Sequence, residues 1–261
     1  MRPSLAAAYT RKAALEALSY RGHLALEAVG GLVTLLGLFY FGRLVGPSAQ
    51  MPEGYFAFAC VGFAAYLPTR AAQAELARQV RSAQMVGLLE PLAAAPPSLP
   101  AQLCAMAVQP TLAALGRAAL TLAAGMALFG LRIDPLGLPL ACLALCLAGA
   151  ASAGLGLLSA AVVLHVRRSD PVAYLLDAAA WLGSGLLFPV DLLPRWARTL
   201  SALLPATHAL RTVRGALLGG PPSRDSLAAL CLLAALALAV GWAALTVAVR
   251  ASRRSGALGI S

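Results

Sequence analysis

Charge is scarce in this chain. Only 11% of its 261 residues are Asp, Glu, Lys or Arg, against about a quarter in a soluble domain, and Lys12 is its one lysine. With 60% hydrophobic residues and a mean hydropathy of +0.80, this excludes a soluble domain and points to an integral membrane protein. No ten-residue alternation of apolar and polar residues occurs, so a transmembrane barrel is excluded. Helices remain, because lipid cannot satisfy open backbone polar groups.

Chemistry-bearing motifs are lacking as well. There is no glycine-rich phosphate loop and no HExxH, and His23, His165 and His208 are scattered. No active site, cofactor or metal centre is expected on this chain, and any nucleotide has to be held by another. The five cysteines, Cys60, Cys104, Cys142, Cys146 and Cys231, show no CxxC spacing and read as small apolar packing residues. The net charge of +10 has no soluble basic face to occupy, which argues against nucleic acid and makes anionic membrane lipids the natural counter-charge.

What is present is a series of long apolar runs. A hydrocarbon core about 30 Å thick takes roughly 20 helical residues. Six runs are candidates: 24–45, 55–70, 103–130, 138–166, 172–188 and 227–249. The first is too long for a signal-peptide core and ends without a small-residue cleavage site, so it reads as a retained span. Short loops rich in basic residues stay in the cytoplasm. Six spans place Arg2, Arg11, Lys12, Arg21, Arg70, Arg78, Arg81, Arg167, Arg168, Arg250, Arg253 and Arg254 on one side, which puts both termini inside.

Three stretches ask for more than spanning. The basic, helix-prone segment 1–23 suits a helix lying on the inner surface. Residues 71–102 carry Glu75, Arg78, Arg81 and Glu90, then Pro91, Pro96, Pro97 and Pro100; a short helix over 85–89 would end at Glu90, because proline disfavours helix at the residue before it. A stiff element of this kind between two spans suits a docking surface. Residues 189–222 on the outer side are divided by Pro189, Pro194 and Pro205, and Leu200, Leu203 and Leu204, then Leu210, Val213 and Leu217, recur at helical spacing. Two short helices too short to cross are expected there, interfacial or re-entrant, with Trp196 and the arginines near headgroup level.

Two of these stretches carry a resemblance. "GLLEPLAAAPPS", residues 87–98, is similar to the Gly-Thr-Leu-Glu-x-Leu pattern, followed by Ser or Thr before Pro, of type 2 ABC transporter permeases; Leu88 and Ala95 replace the usual hydroxyl residues and make this contact more apolar. "FPVDLLPRWARTLSALLPATHALRTVRGALLGG", residues 188–220, resembles that family's longer Phe-Pro…Leu-Pro-x-Trp…Leu-Pro-x-Thr-His…Arg pattern. The whole chain resembles the daunorubicin-resistance and polysaccharide-export group. The resemblance implies an all-α integral membrane fold with six transmembrane helices, an N-terminal interfacial helix, a cytoplasmic coupling helix and a re-entrant hairpin before the last span. It implies that Arg81, Gly87, Leu88, Leu89, Glu90, Pro91 and Leu92 couple to a separate ATPase, with Glu90 as anchor. Pro189, Pro194, Trp196, Pro205, Thr207, His208 and Arg214 would shape the outer gate.

The expected function is then the transmembrane subunit of an ATP-driven exporter. It would join a second permease subunit, identical or similar, and two copies of a cytoplasmic ABC ATPase that carries ATP and Mg, in a bacterial cytoplasmic (inner) membrane. An interior poor in charge and aromatics suits a hydrophobic or amphipathic cargo: a drug, a lipid or a lipid-linked glycan. The competing reading is a partner-independent carrier or scaffold, although the two halves of the chain show no internal repeat of the kind carriers often have. Within the spans, Arg117, Asp177 and Trp181 are candidate pathway residues. Arg117 either lines the pathway or, if the third span begins after Gly116, sits at the inner headgroups; Asp177, one turn into the fifth span, is expected near the inner interface. The run "GAASAGLG", residues 149–156, is expected to let helix backbones approach closely.

Overall fold

The computed structural model describes residues 21–46, 51, 53–87, 98–166, 171–220 and 223–254. The expected surface helix before Arg21, and the coupling residues Leu88, Leu89, Glu90, Pro91 and Leu92, lie outside them. The described elements are helical. In chain order they are α1 (Arg21–Val45), α2 (Tyr55–Met85), α3 (Leu99–Phe129), a 3-10 turn (Pro135–Gly137), α4 (Leu138–Val166), α5 (Pro171–Gly183), a second 3-10 turn (Val190–Leu192), α6 (Arg195–Ser201), α7 (Pro205–Leu217) and α8 (Arg224–Arg254).

Helix α4 is the hub, and its small residues explain why. A side chain at Gly154 would overlap the backbone of Ala237 and Leu238 on α8, and one at Gly241 would overlap Gly154 in return. Two positions further on, hence on the opposite face of the helix, Gly156 faces the backbone of Gln73 and the Leu76 side chain on α2, 2.7 Å from where its Cβ would stand. Backbones that touch without Cβ atoms between them gain dispersion contacts, which matter most in lipid, where no hydrophobic force drives helices together. Gly154 and Gly156 of the small-residue run thus pack helices within one subunit.

Neighbouring contacts give the helix directions. Gln84 Nε2 donates to Val163 O at 3.4 Å, so α2 and α4 end together. Gly125 faces the Cys60 sulfur, so the end of α3 lies beside the start of α2. Among the described residues two large apolar cores and two smaller clusters result. One gathers Leu76, Val80, Leu103, Leu157, Val163, Leu245 and Val249; the other gathers Val61, Tyr66, Ala144, Leu186, Leu210, Val213 and Leu230. Helix α1 buries little beyond Leu35 and leaves Leu26, Val29, Val33 and Leu44 exposed. All five cysteines are free thiols; Cys60 is buried in α2.

Among the described residues, three helices are long and apolar enough to cross a membrane, with bounds Leu99–Phe129, Pro135–Leu164 and Arg224–Ala251. The other expected spans take different forms. The apolar part of α1 is Val29–Val45. Helix α2 runs on as one helix to Met85, so residues 71–85 are not loop; the helix ends where a separate short one was expected to begin, at Val86 and a left-handed Gly87 (φ 71°). Helix α5 is 13 residues long, about 20 Å at 1.5 Å per residue, and stops at Gly183 where a helix to 188 was expected. Gly185 adopts φ 81°, which L side chains rarely take, and Pro189 cannot donate to the preceding turn. Helix α3 passes through Pro110 and Gly116 without a break, carrying a half-buried Arg117.

Candidate functional site

The segment after α5 forms two short helices started at prolines, with Ser201 and Leu204 brought back beside Gly183. Pro194 precedes α6 and Pro205 opens α7 at its first turn, where a missing N–H leaves no helical bond unmade. Between them His208 Nε2 meets Ala202 O at 2.9 Å, closing the turn, and Thr212 Oγ1 donates to His208 O at 2.8 Å. Arg198 Nη2 donates to Asp191 O at 2.6 Å and ties α6 to the turn before it. Thr207 is buried, and Trp196 is 70% exposed on the outer side of α6. Two short helices, α6 and α7, occupy this stretch.

Arg214, on the inward face of α7, holds that helix to the bundle. Its Nε donates to Phe58 O at 3.0 Å, its Nη1 to Gly185 O at 2.7 Å and its Nη2 to Leu186 O at 2.8 Å, while the guanidinium carbon lies 3.5 Å from the Phe58 ring centroid. The carbonyls freed where α5 stops are therefore met by one planar fork, a task suited to arginine and not to lysine. Gly62, one turn along α2 from Phe58, leaves the space, for a Cβ there would overlap Nη2. Asp134 N donates to Leu217 O at 2.8 Å, so the loop after α3 meets the end of α7. Arg214, Pro189, Glu53, Asp191 and Arg211 line a cavity of about 370 Å³.

A second constellation is built on Asp177, midway along α5, and on Trp181 one turn further. Tyr66 donates its hydroxyl to Asp177 Oδ1, and Arg70 Nε stands 3.3 Å from the same oxygen. Tyr66 and Arg70 are one turn apart on α2, as Asp177 and Trp181 are on α5, so the two pairs face each other. Trp181 meets the Tyr66 ring edge-on at 6.3 Å between centroids. Further along α2, Arg78 donates to both oxygens of the buried Glu75, at 2.9 and 2.6 Å.

The structure thus brings together Pro189 with Arg214, Pro205 with His208 and Thr207, and Asp177 with Trp181. It sets Asp177 against Tyr66 and Arg70 of α2. Of the expected coupling residues, Arg81 lies near the C-terminal end of α2 and Gly87 just past it. Sequence reasoning missed Phe58, Gly62 and Tyr66, and Arg70 as a partner. Their i to i+4 spacing on one helix was visible, but nothing local names the helix they face. Among the described residues no group of three His, Cys, Asp or Glu could hold a metal ion.

A family model described as ABC-2 type transporter matches residues 18–218, well over half of the chain. No curated protein matches it.

Proposed function

This chain belongs to the ABC-2 type transporter family, and from that premise we propose that it is the transmembrane subunit of an ATP-driven exporter of hydrophobic or amphipathic molecules. The family makes it a multi-pass permease component, not itself catalytic, working with an ATPase and in a dimeric permease arrangement. Two copies of the ATPase, a second permease chain that is this one or a similar one, a cytoplasmic membrane with both termini inside, and a drug, lipid or lipid-linked glycan as cargo complete the reading. In it α1, α2 and α5 join the three long apolar helices as spans.

The observation that carries the proposal is the continuity of α2. One 31-residue helix runs from the Arg214 clamp at Phe58 and Gly62 to Gly87, where residues 88–97 begin. A push from the ATPase on Glu90 would therefore enter one rod, about 45 Å long. Pro68 lies inside that rod and deprives it of one backbone hydrogen bond, which makes a bending point. The start of α2 is held by three charge-assisted hydrogen bonds and its middle by Asp177, through Tyr66 just before Pro68 and a half-exposed Arg70 just after it. The Arg70 contact is the weakest of these and would part first, freeing the half of α2 beyond Pro68 to swing away from α5. The gate would be the hairpin of Pro189, Pro194, Trp196, Pro205, Thr207, His208 and Arg214, and the exposed Tyr174, Leu175 and Leu182 of α5 supply an apolar wall.

The test is reconstitution of the chain with its cognate ATPase in liposomes, measuring ATP hydrolysis with Glu90 intact and as Glu90→Lys. Hydrolysis that requires both chains and falls in the variant, with the complex still assembled, is the expected result. An ATPase that neither binds the chain nor changes its rate would sink the exporter reading in favour of a partner-independent carrier.

A further inference from the structure

The inner stretch of α2 presents Arg70, Arg78 and Arg81 to a cavity of about 230 Å³, closed on the far side by Tyr174 and Asp177 of α5. Two of the three cations have carboxylate partners. Arg70 stands 3.3 Å from Asp177, and Arg78 is paired with Glu75, which also accepts from Gln79 Nε2 at 2.5 Å. Arg81 differs: its Nη2 is buried and meets no hydrogen-bond acceptor among the described residues. A buried guanidinium N–H without an acceptor is costly, and since Arg81 also lines the cavity, a turn of its side chain towards an anion there would remove that cost. The cavity is smaller than the roughly 300 Å³ at which sites for drug-sized molecules begin, so it holds a small anionic group and not a whole glycan. Beside its mouth, Tyr174 and Leu175 are 75% and 71% exposed, an apolar surface next to a cationic pocket.

We propose that this cavity binds the phosphate group of an anionic amphiphile, with Arg81 as the principal donor, Arg70 and Arg78 flanking it, and the apolar tail lying along Tyr174 and Leu175. Arginine forks match phosphate oxygens two at a time, and the mixed surface matches a headgroup joined to a chain. The site rests on the permease reading only for its placement at the inner leaflet. Binding to the isolated chain can therefore succeed or fail independently of coupling to an ATPase.

The experiment is thermal unfolding of the full chain in neutral detergent, titrated with dihexanoyl phosphatidic acid, dihexanoyl phosphatidylcholine or inorganic phosphate. Phosphatidic acid is expected to raise the midpoint where phosphatidylcholine does not, and Arg81→Gln should need about tenfold more of it, the loss of one charge-assisted hydrogen bond. Arg195→Gln, which removes an exposed charge on α6, should respond as the unaltered chain does. Inorganic phosphate matching phosphatidic acid would support the phosphate site and identify a free ion as its occupant, with the tail contact dispensable. An equal response of Arg81→Gln, or of the unaltered chain to phosphatidylcholine, overturns the proposal. If Arg81→Gln does not fold, Arg70→Gln serves, with the same weakening expected and an unchanged response counting against the site.

Discussion

Arg214 commits a whole guanidinium to backbone carbonyls, and that choice sets the effect of changing it. Lysine keeps the charge but replaces the planar fork with a single ammonium that cannot span Phe58 O, Gly185 O and Leu186 O together. Arg214→Lys is expected to destabilise the chain by about 2–3 kcal/mol, seen as an earlier midpoint in denaturant-induced unfolding in detergent. Gly62→Ala drives a methyl group into Arg214 Nη2 and should destabilise in the same direction. Because the two residues share one contact, the double variant Gly62→Ala with Arg214→Lys should fall short of the sum of the singles by 0.5 kcal/mol or more, roughly the coupling seen between touching residues. Full additivity would mean that Gly62 does not serve the clamp. At the other constellation the ion pair is half exposed and contributes little, so Arg70→Gln alone should leave stability within about 1 kcal/mol.

At the scale of elements, the contact between α4 and α8 depends on glycines whose neighbours differ. Gly154→Ala must push apart two backbones in contact and is expected to cost about 1–3 kcal/mol. Gly149, on the same helix and in the same small-residue run, has nothing within 4 Å of where a Cβ would stand. Gly149→Ala should be neutral or slightly stabilising, since alanine is the better helix former by about 1 kcal/mol. Equal gains at both sites in a thermal unfolding assay would show that the run acts through helix propensity and not through packing, and a loss at Gly149 equal to that at Gly154 would show that Gly149 is packed as tightly. Helix α2 offers a second test. Pro68→Ala restores the missing hydrogen bond and stiffens the rod, so it should raise thermal stability while lowering the stimulation of the ATPase by the permease. Higher stability with unchanged stimulation would argue that α2 moves without bending at Pro68.

At the scale of the whole molecule, the crossing of α5 decides the topology. The loop after α3 meets the end of α7 through Asp134 and Leu217, which supports placing Leu136 and Trp196 on one side of the membrane. Both are well exposed, as is Met85 at the end of α2. In a chain freed of its five cysteines, Leu136→Cys and Trp196→Cys should react with an impermeant thiol reagent from outside and Met85→Cys only from inside. Trp196→Cys labelled from the same side as Met85→Cys would mean that α5 and the bent segment after it do not cross, and the six-span arrangement would fall.

The sequence by itself determined the class of the protein, since so little charge and such long apolar runs permit only buried or lipid-facing helices. It also marked the two short helices after α5, because Pro189, Pro194 and Pro205 fall where helices begin, whereas Pro68 and Pro110 lie inside continuous helices. Both signals lie within a few residues of chain. The length of α2 was less legible: Glu75, Arg78 and Arg81 look like loop residues, yet they continue the helix because Arg78 and Gln79 satisfy Glu75 along one face. What only the tertiary structure decided is which distant groups complete each other. Arg214 finds Phe58 across 156 positions, and Asp177 finds Tyr66 across 111. Those partners follow from the way glycine-lined helix faces pack, and packing is a property of surfaces that no local pattern records.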